Sequence, residues 1–159
     1  MNKKARHIII AINPTSQEAE HTVDWAISNI LDSNRDQVDL VCALDLDVDF
    51  TDDVISDVPA MYDYQYLNDM EQQIESRSAN AMKRFEGMLT ENDINVKVKV
   101  YKAIGSEPRN ILVEYTQASN ADILIMGSRN LTTWKRFFWG SFSEYVQAHV
   151  NCPVIIVKE

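Results

Sequence analysis

The stretch that could do chemistry lies late in the chain. Gly127-Ser128-Arg129-Asn130 and Gly140-Ser141-Phe142-Ser143 hold two of the four glycines in the sequence. Glycine lets a backbone approach a phosphate closely, and the start of a helix offers unpaired N–H groups with a partial positive charge. Ser141 and Ser143 add hydroxyl donors. The chemistry implied is the holding of a phosphorylated ligand. Ser141-Phe142-Ser143-Glu144 also reads as a capping box, in which Ser141 merely closes the first helical turn. Between the two blocks, Lys135 and Arg136 could reach phosphates or line a solvated loop. Trp134, Phe137, Phe138 and Trp139 could form a lid, a partner surface or core packing.

Little else is arranged for reaction. There is no Gly-x-Ser-x-Gly elbow and no Walker loop. His7, His21 and His149 fall on different elements, so neither a metal site nor a nucleophile–histidine pair is expected. Asp45-x-Asp47-x-Asp49 lacks the glycine and the closing glutamate of a calcium loop. The expected catalytic residues and metal ligands are therefore none.

Composition narrows the partners. The 159 residues carry a net charge of −9, which argues against a nucleic-acid partner, because phosphate backbones are read by concentrated Lys and Arg. No apolar run approaches the roughly 18 residues of a membrane span, so no membrane partner is expected. MNKKARHIIIAI has too short an apolar core for a signal peptide. Cys42 and Cys152 sit 110 positions apart in apolar runs and read as buried thiols, which together places the protein in the cytoplasm.

The elements that must position the loop follow from periodicity. Five short apolar runs separated by helical patterns predict one α/β domain over 1–159, a parallel sheet covered by helices. Strands are expected over 7–12, 38–44, 95–101, 122–127 and 154–157. The first helix opens at Thr15-Ser16-Gln17-Glu18, with Thr15 as cap and Glu18 answering it; Val23, Ala26, Ile27, Ile30 and Leu31 form its apolar face. A long helix over 66–89 buries Leu67, Met70, Ile74, Ala81, Phe85 and Met88. Ser106-Glu107-Pro108 opens the next, with Ile111, Leu112, Tyr115 and Ala118 inward. The acidic stretch 45–63 reads as a loop. Strands 1 and 4 are continuously apolar and belong at the centre, while Lys97 and Lys99 mark strand 3 as an edge. Strand 5 is the other edge, and VIIV there invites pairing with a second copy, unless Pro153 and Lys158 blunt it.

In an open parallel sheet, ligands bind beyond the carboxyl ends of the strands, where the strand order reverses. With strands 1 and 4 adjacent, that crevice is lined by residues 11–14 and 126–130.

At this point the chain resembles the universal stress protein family. HIIIAIN, GSEPRNILVEYTQASNADILIMGSRN and GSFSEYVQAHVNCPVIIVKE carry the likeness, which spans nearly the whole sequence. Nucleotide-binding members have Gly-x-x-Gly, nine residues, then Gly-Ser or Gly-Thr; here the frame reads GSRN, LTTWKRFFW, GS. The resemblance implies a Rossmann-like sheet of order 3-2-1-4-5, a homodimer through strand 5 (Val154–Val157), and ATP or AMP as ligand, with or without Mg. It places Ala11, Ile12, Asn13 and Ala43 near adenine and ribose. Met126 and Gly127 come under the nucleotide, and Arg129, Asn130, Gly140, Ser141, Phe142 and Ser143 around the phosphates. Two positions depart from the pattern. Asn130 stands for the second glycine, and Asn13 for the aspartate usual after strand 1. The implied function is a dimeric adenine-nucleotide sensor or regulator in stress response, with at most weak ATP hydrolysis. The alternative is a dimeric interaction protein of the same fold without a ligand.

Overall fold

The computed structural model describes residues 4–45, 63–103, 107–127 and 139–158. Strands β1 (Arg6–Ala11), β2 (Asp36–Asp45), β3 (Asn95–Ala103), β4 (Ile123–Gly127) and β5 (Val154–Val157) alternate with helices α1 (Glu18–Asn29), α2 (Asp63–Glu91), α3 (Pro108–Ala118) and α4 (Trp139–His149). All strands are parallel, in the order β3-β2-β1-β4-β5. Both edges and the centre are thus where the apolar patterning puts them.

The period of two along each strand divides the core between the faces of the sheet. Ile8, Ile10, Val38, Leu40 and Cys42 meet Val23, Ala26, Met82, Phe85 and Leu89 on the side of α1 and α2. Ile9, Ala11, Val41, Leu124 and Met126 meet Leu112, Val113 and Val146 on the side of α3 and α4. Central strands covered on both faces need apolar residues at every position, which is why β1 and β4 read as unbroken runs.

The helices correct the expected pattern in three places. The Thr15–Glu18 capping box does not form. α1 begins at Glu18 after Gln17, Ser16 Oγ accepts from the Glu18 N–H, and the Thr15 hydroxyl donates to Asn13 instead. In α2 the fully buried residues are Ser78, Met82, Phe85 and Leu89; Met82 and Leu89 lie on the true inward stripe, while Leu67 lies outside the residues whose side chains are described. In α3, Val113 and Thr116 are buried while Ala118 is exposed, because the helix packs its 112–113–116 face on the sheet. Thr116 is accommodated there by donating to the Leu112 carbonyl at 2.7 Å. Pro108 takes the first-turn position expected of it.

β3 is exposed along much of its length. Lys97 and Lys99 face solvent while Val96 and Val98 pack against the core on the α1 and α2 side; Val100, farther along the strand, is 46% exposed. Beyond β2, the acidic stretch 46–62 lies outside the described residues, as do Trp134, Lys135, Arg136, Phe137 and Phe138.

Candidate functional site

The strand order reverses between β1 and β4. Chain direction runs outward from β1 through β2 to β3 on one side, and through β4 to β5 on the other. Ala11 is the register partner of Met126, so the chain leaving β1 at Ile12 and Asn13 stands beside the chain leaving β4 at Gly127. Ala11, Ile12, Met126 and Gly127 are buried and form the floor of this crevice. Ile12 is tied sideways by its N–H to the Val41 carbonyl at 3.0 Å. Ala43, half-buried, lies two residues farther along β2 on the same end of the sheet. Five of the expected residues are therefore gathered at one point, with Ala43 on the adjoining strand.

Asn13 is half-buried just past the end of β1. Its Oδ1 receives the Thr15 N–H at 3.2 Å and the Thr15 hydroxyl at 2.9 Å, and its carbonyl receives the Ser16 N–H at 3.0 Å. These bonds turn the chain sharply into α1. The signal was present in the sequence as Asn-Pro-Thr-Ser, a run rich in residues whose side chains bond their own backbone.

α4 returns the chain to β5, whose Val154 pairs in parallel with Leu124 of β4. The helix therefore runs opposite to the strands, with its amino end at the carboxyl end of the sheet. Gly140 and Ser141 occupy its first turn, which begins at Trp139 and so carries Ser141 inside the helix instead of at a cap. Phe142 is half-buried against the core cluster that contains Leu124, Met126 and Val146, and Ser143, next in the chain, is half-buried too. Arg129 and Asn130 lie outside the described residues.

The helix starts differ in electrostatics. α1 carries Glu18 and Glu20 in its first turn, which answer its positive end internally. The first turn of α4 carries no acidic residue. An anion at the carboxyl end of the sheet is thus favoured at α4 and opposed at α1.

A separate cleft of about 340 Å³ opens on the other side of the loop that follows Asn13, between α1 and α2. Thr15, Gln17, Glu20, Ala81, Arg84 and Phe85 line it, and Arg84 spans it by pairing with Glu20 while stacking on Phe85. That ion pair is part of its lining, and no expected site residue is among the residues that line it.

A polar cluster escaped the sequence reading. Asp39 interrupts the apolar run of β2 and is 5% exposed. Its Oδ2 accepts from the Tyr115 hydroxyl at 2.5 Å and faces His7 Nε2 at 2.8 Å, while His7 Nδ1 lies 3.2 Å from the Ser119 carbonyl. Burial, reinforced by the bond to Asp39, pushes the Tyr115 hydroxyl well above its ordinary range. Asp39 pairs with Ile9, short of the carboxyl ends, so the cluster fastens α3 to β1 and β2 without reaching the crevice. The two thiols are unpaired; burial holds Cys42 up to about 12 and raises Cys152. Neither is poised as a nucleophile. Among the described residues no group of His, Cys, Asp and Glu is placed to hold a metal ion, and no helix is long and apolar enough to cross a membrane.

Known proteins share this architecture. An Arabidopsis thaliana universal stress protein A-like protein is 23% identical over 168 aligned residues, covering 99% of this chain and 93% of that one. A universal stress protein of Methanocaldococcus jannaschii is 24% identical over 102 residues, 64% of this chain and 56% of that protein, so the match spans little more than half of that relative's length. Among solved structures, a universal stress protein in complex with cAMP superposes with a TM-score of 0.54 at 16% identity, covering 98% of each chain. The model of the universal stress protein family matches residues 4–158. The chain belongs to the universal stress protein family.

Proposed function

We propose that this protein binds an adenine nucleotide, ATP or AMP, in the crevice between β1 and β4, and acts as a dimeric cytoplasmic sensor or regulator in stress response. The observation that carries the reading is the juxtaposition at the switch point. Ala11, Ile12 and Asn13 stand beside Met126 and Gly127, and the amino end of α4, free of acidic residues in its first turn, faces the same end. Small and apolar residues there accept the flat adenosine moiety, and the first turn from Gly140 receives phosphate oxygens on its N–H groups. Ser143 adds a hydroxyl donor; Ser141, Arg129 and Asn130 belong to the proposed phosphate site by their places in the sequence frame alone. The cAMP held by a relative of the same fold supports the ligand class.

The residues present suit binding better than turnover. The reaction proposed for the site is at most slow hydrolysis of ATP. Occupancy is then the signal.

The homodimer forms through β5. Val154, Ile155 and Ile156 are only half-buried on a free sheet edge, and a second copy would satisfy the open backbone groups and cover these side chains.

Calorimetric titration with ATP and AMP tests the site. We expect micromolar to low-millimolar binding, abolished by Gly140→Trp, which fills the phosphate position. Absence of heat at millimolar ligand, in a protein that remains dimeric, would instead support the ligand-free interaction protein, which Asn130 in place of the second glycine favours.

A further inference from the structure

The Asn13 side chain has its oxygen engaged and only hydrogen-bond donors left to offer. The Thr15 backbone N–H lies 3.2 Å from the Asn13 side-chain amide, and a backbone N–H can only donate. The atom it meets is therefore the amide oxygen, which settles the orientation of a group whose two ends otherwise look alike. The Thr15 hydroxyl, at 2.9 Å, supplies a second donor to the same oxygen. With both acceptor positions of Oδ1 filled, the free capacity of the side chain is its NH₂ group, two N–H bonds with no partner among the described residues. The Ser16 N–H on the Asn13 carbonyl holds the same loop and resists reorientation.

We propose that Asn13 is a specificity-determining residue that selects an acceptor oxygen or ring nitrogen of the nucleotide, and that the site consequently takes its nucleotide free of a divalent cation. This rests on the adenine-nucleotide reading above. A carboxylate at this position would accept from a ribose hydroxyl or attract a metal ion. The Asn13 amide does neither, because its oxygen is engaged and its nitrogen carries only protons. The negative charge of the phosphates is met by the amino end of α4 instead of by a cation at β1.

The test is calorimetry of ATP and AMP with excess Mg²⁺ and with EDTA, on the wild-type chain and on Asn13→Asp. Aspartate keeps the acceptor that Thr15 needs, so the loop and fold are retained, while the donors are lost. The wild type should bind as well in EDTA as in Mg²⁺. Asn13→Asp should bind about tenfold more weakly in EDTA, with part of the loss recovered by Mg²⁺, the fold-change expected for one exchanged polar contact. In parallel, the ¹⁵N-labelled side-chain amide of Asn13 should move on adding nucleotide in EDTA. Wild-type binding that requires Mg²⁺, an equal or tighter Asn13→Asp complex in EDTA, or an unmoved Asn13 amide at saturation would each overturn the inference while leaving nucleotide binding intact. No binding under either condition would overturn both.

Discussion

At the scale of single residues, the polar exceptions inside the core explain more than the apolar rule. Asp39 is tolerated in β2 because Tyr115 and His7 meet its Oδ2. Tyr115→Phe keeps the ring contact with Tyr101 and removes only the hydroxyl, so it should cost about 1–3 kcal/mol in urea unfolding, the penalty for a less well satisfied buried polar group. An unchanged stability would deny the cluster its structural role. Cys42 gives a pH test with a definite sign. Its folded-state value is raised from an ordinary 9.0 up to about 12 by burial, so the neutral thiol stabilises the fold fully below pH 9, and that contribution is lost as pH rises toward 12. Tyr115, raised from 10.0, acts in the same sense. Cys42→Ala should therefore flatten the alkaline decline of stability measured by denaturant titration at stepped pH. A decline equally steep in the variant would contradict the assignment.

At the scale of elements, the helix faces decide which substitutions matter. Leu112 in α3 is 4% exposed, whereas Ala118, expected inward from its spacing, is exposed. Leu112→Ala should cost about 2–5 kcal/mol and Ala118→Ser less than about 0.5, a contrast that thermal or urea unfolding resolves directly. The strands were legible because the sheet buries β1 and β4 on both faces, which demands unbroken runs such as Ile8-Ile9-Ile10. Helix faces were less so. A Thr at 116 is as acceptable inside a helix as outside once its hydroxyl finds the Leu112 carbonyl, so residue type does not betray its direction. The start of α1 failed for a related reason. Thr15, Ser16 and Asn13 are all competent caps, and which hydroxyl serves the helix depends on how the chain turns off β1. The crevice itself was legible because it follows from strand order, and the strand order follows from which runs are continuously apolar. The Asp39 cluster was not, because a lone Asp in a strand does not name the helix that will satisfy it.

At the scale of the whole molecule, the two free edges are treated differently. β3 presents Lys97 and Lys99 to solvent, which discourages edge pairing, while β5 offers an apolar edge, with Val154 and Ile156 half-buried on one face of the sheet and Ile155 half-buried on the other. With the dimer proposed through β5, light scattering should give a dimer mass for the wild type at micromolar concentration and a shift toward monomer for Ile155→Lys. A retained dimer would place the interface elsewhere. The net charge of −9 keeps such a surface from non-specific anionic partners and makes the positive end of α4 the natural exception for a phosphate. The central claim is that one end of the sheet, at its switch point, is the ligand site. The most direct measurement is a two-dimensional ¹H–¹⁵N spectrum of the labelled protein titrated with ATP. The account predicts that the amide shifts cluster at Ala11 to Asn13, Met126, Gly127 and the first turn of α4. Shifts confined to Gln17, Glu20, Arg84 and Phe85 in the α1–α2 cleft, or no shifts at millimolar ATP, would contradict it.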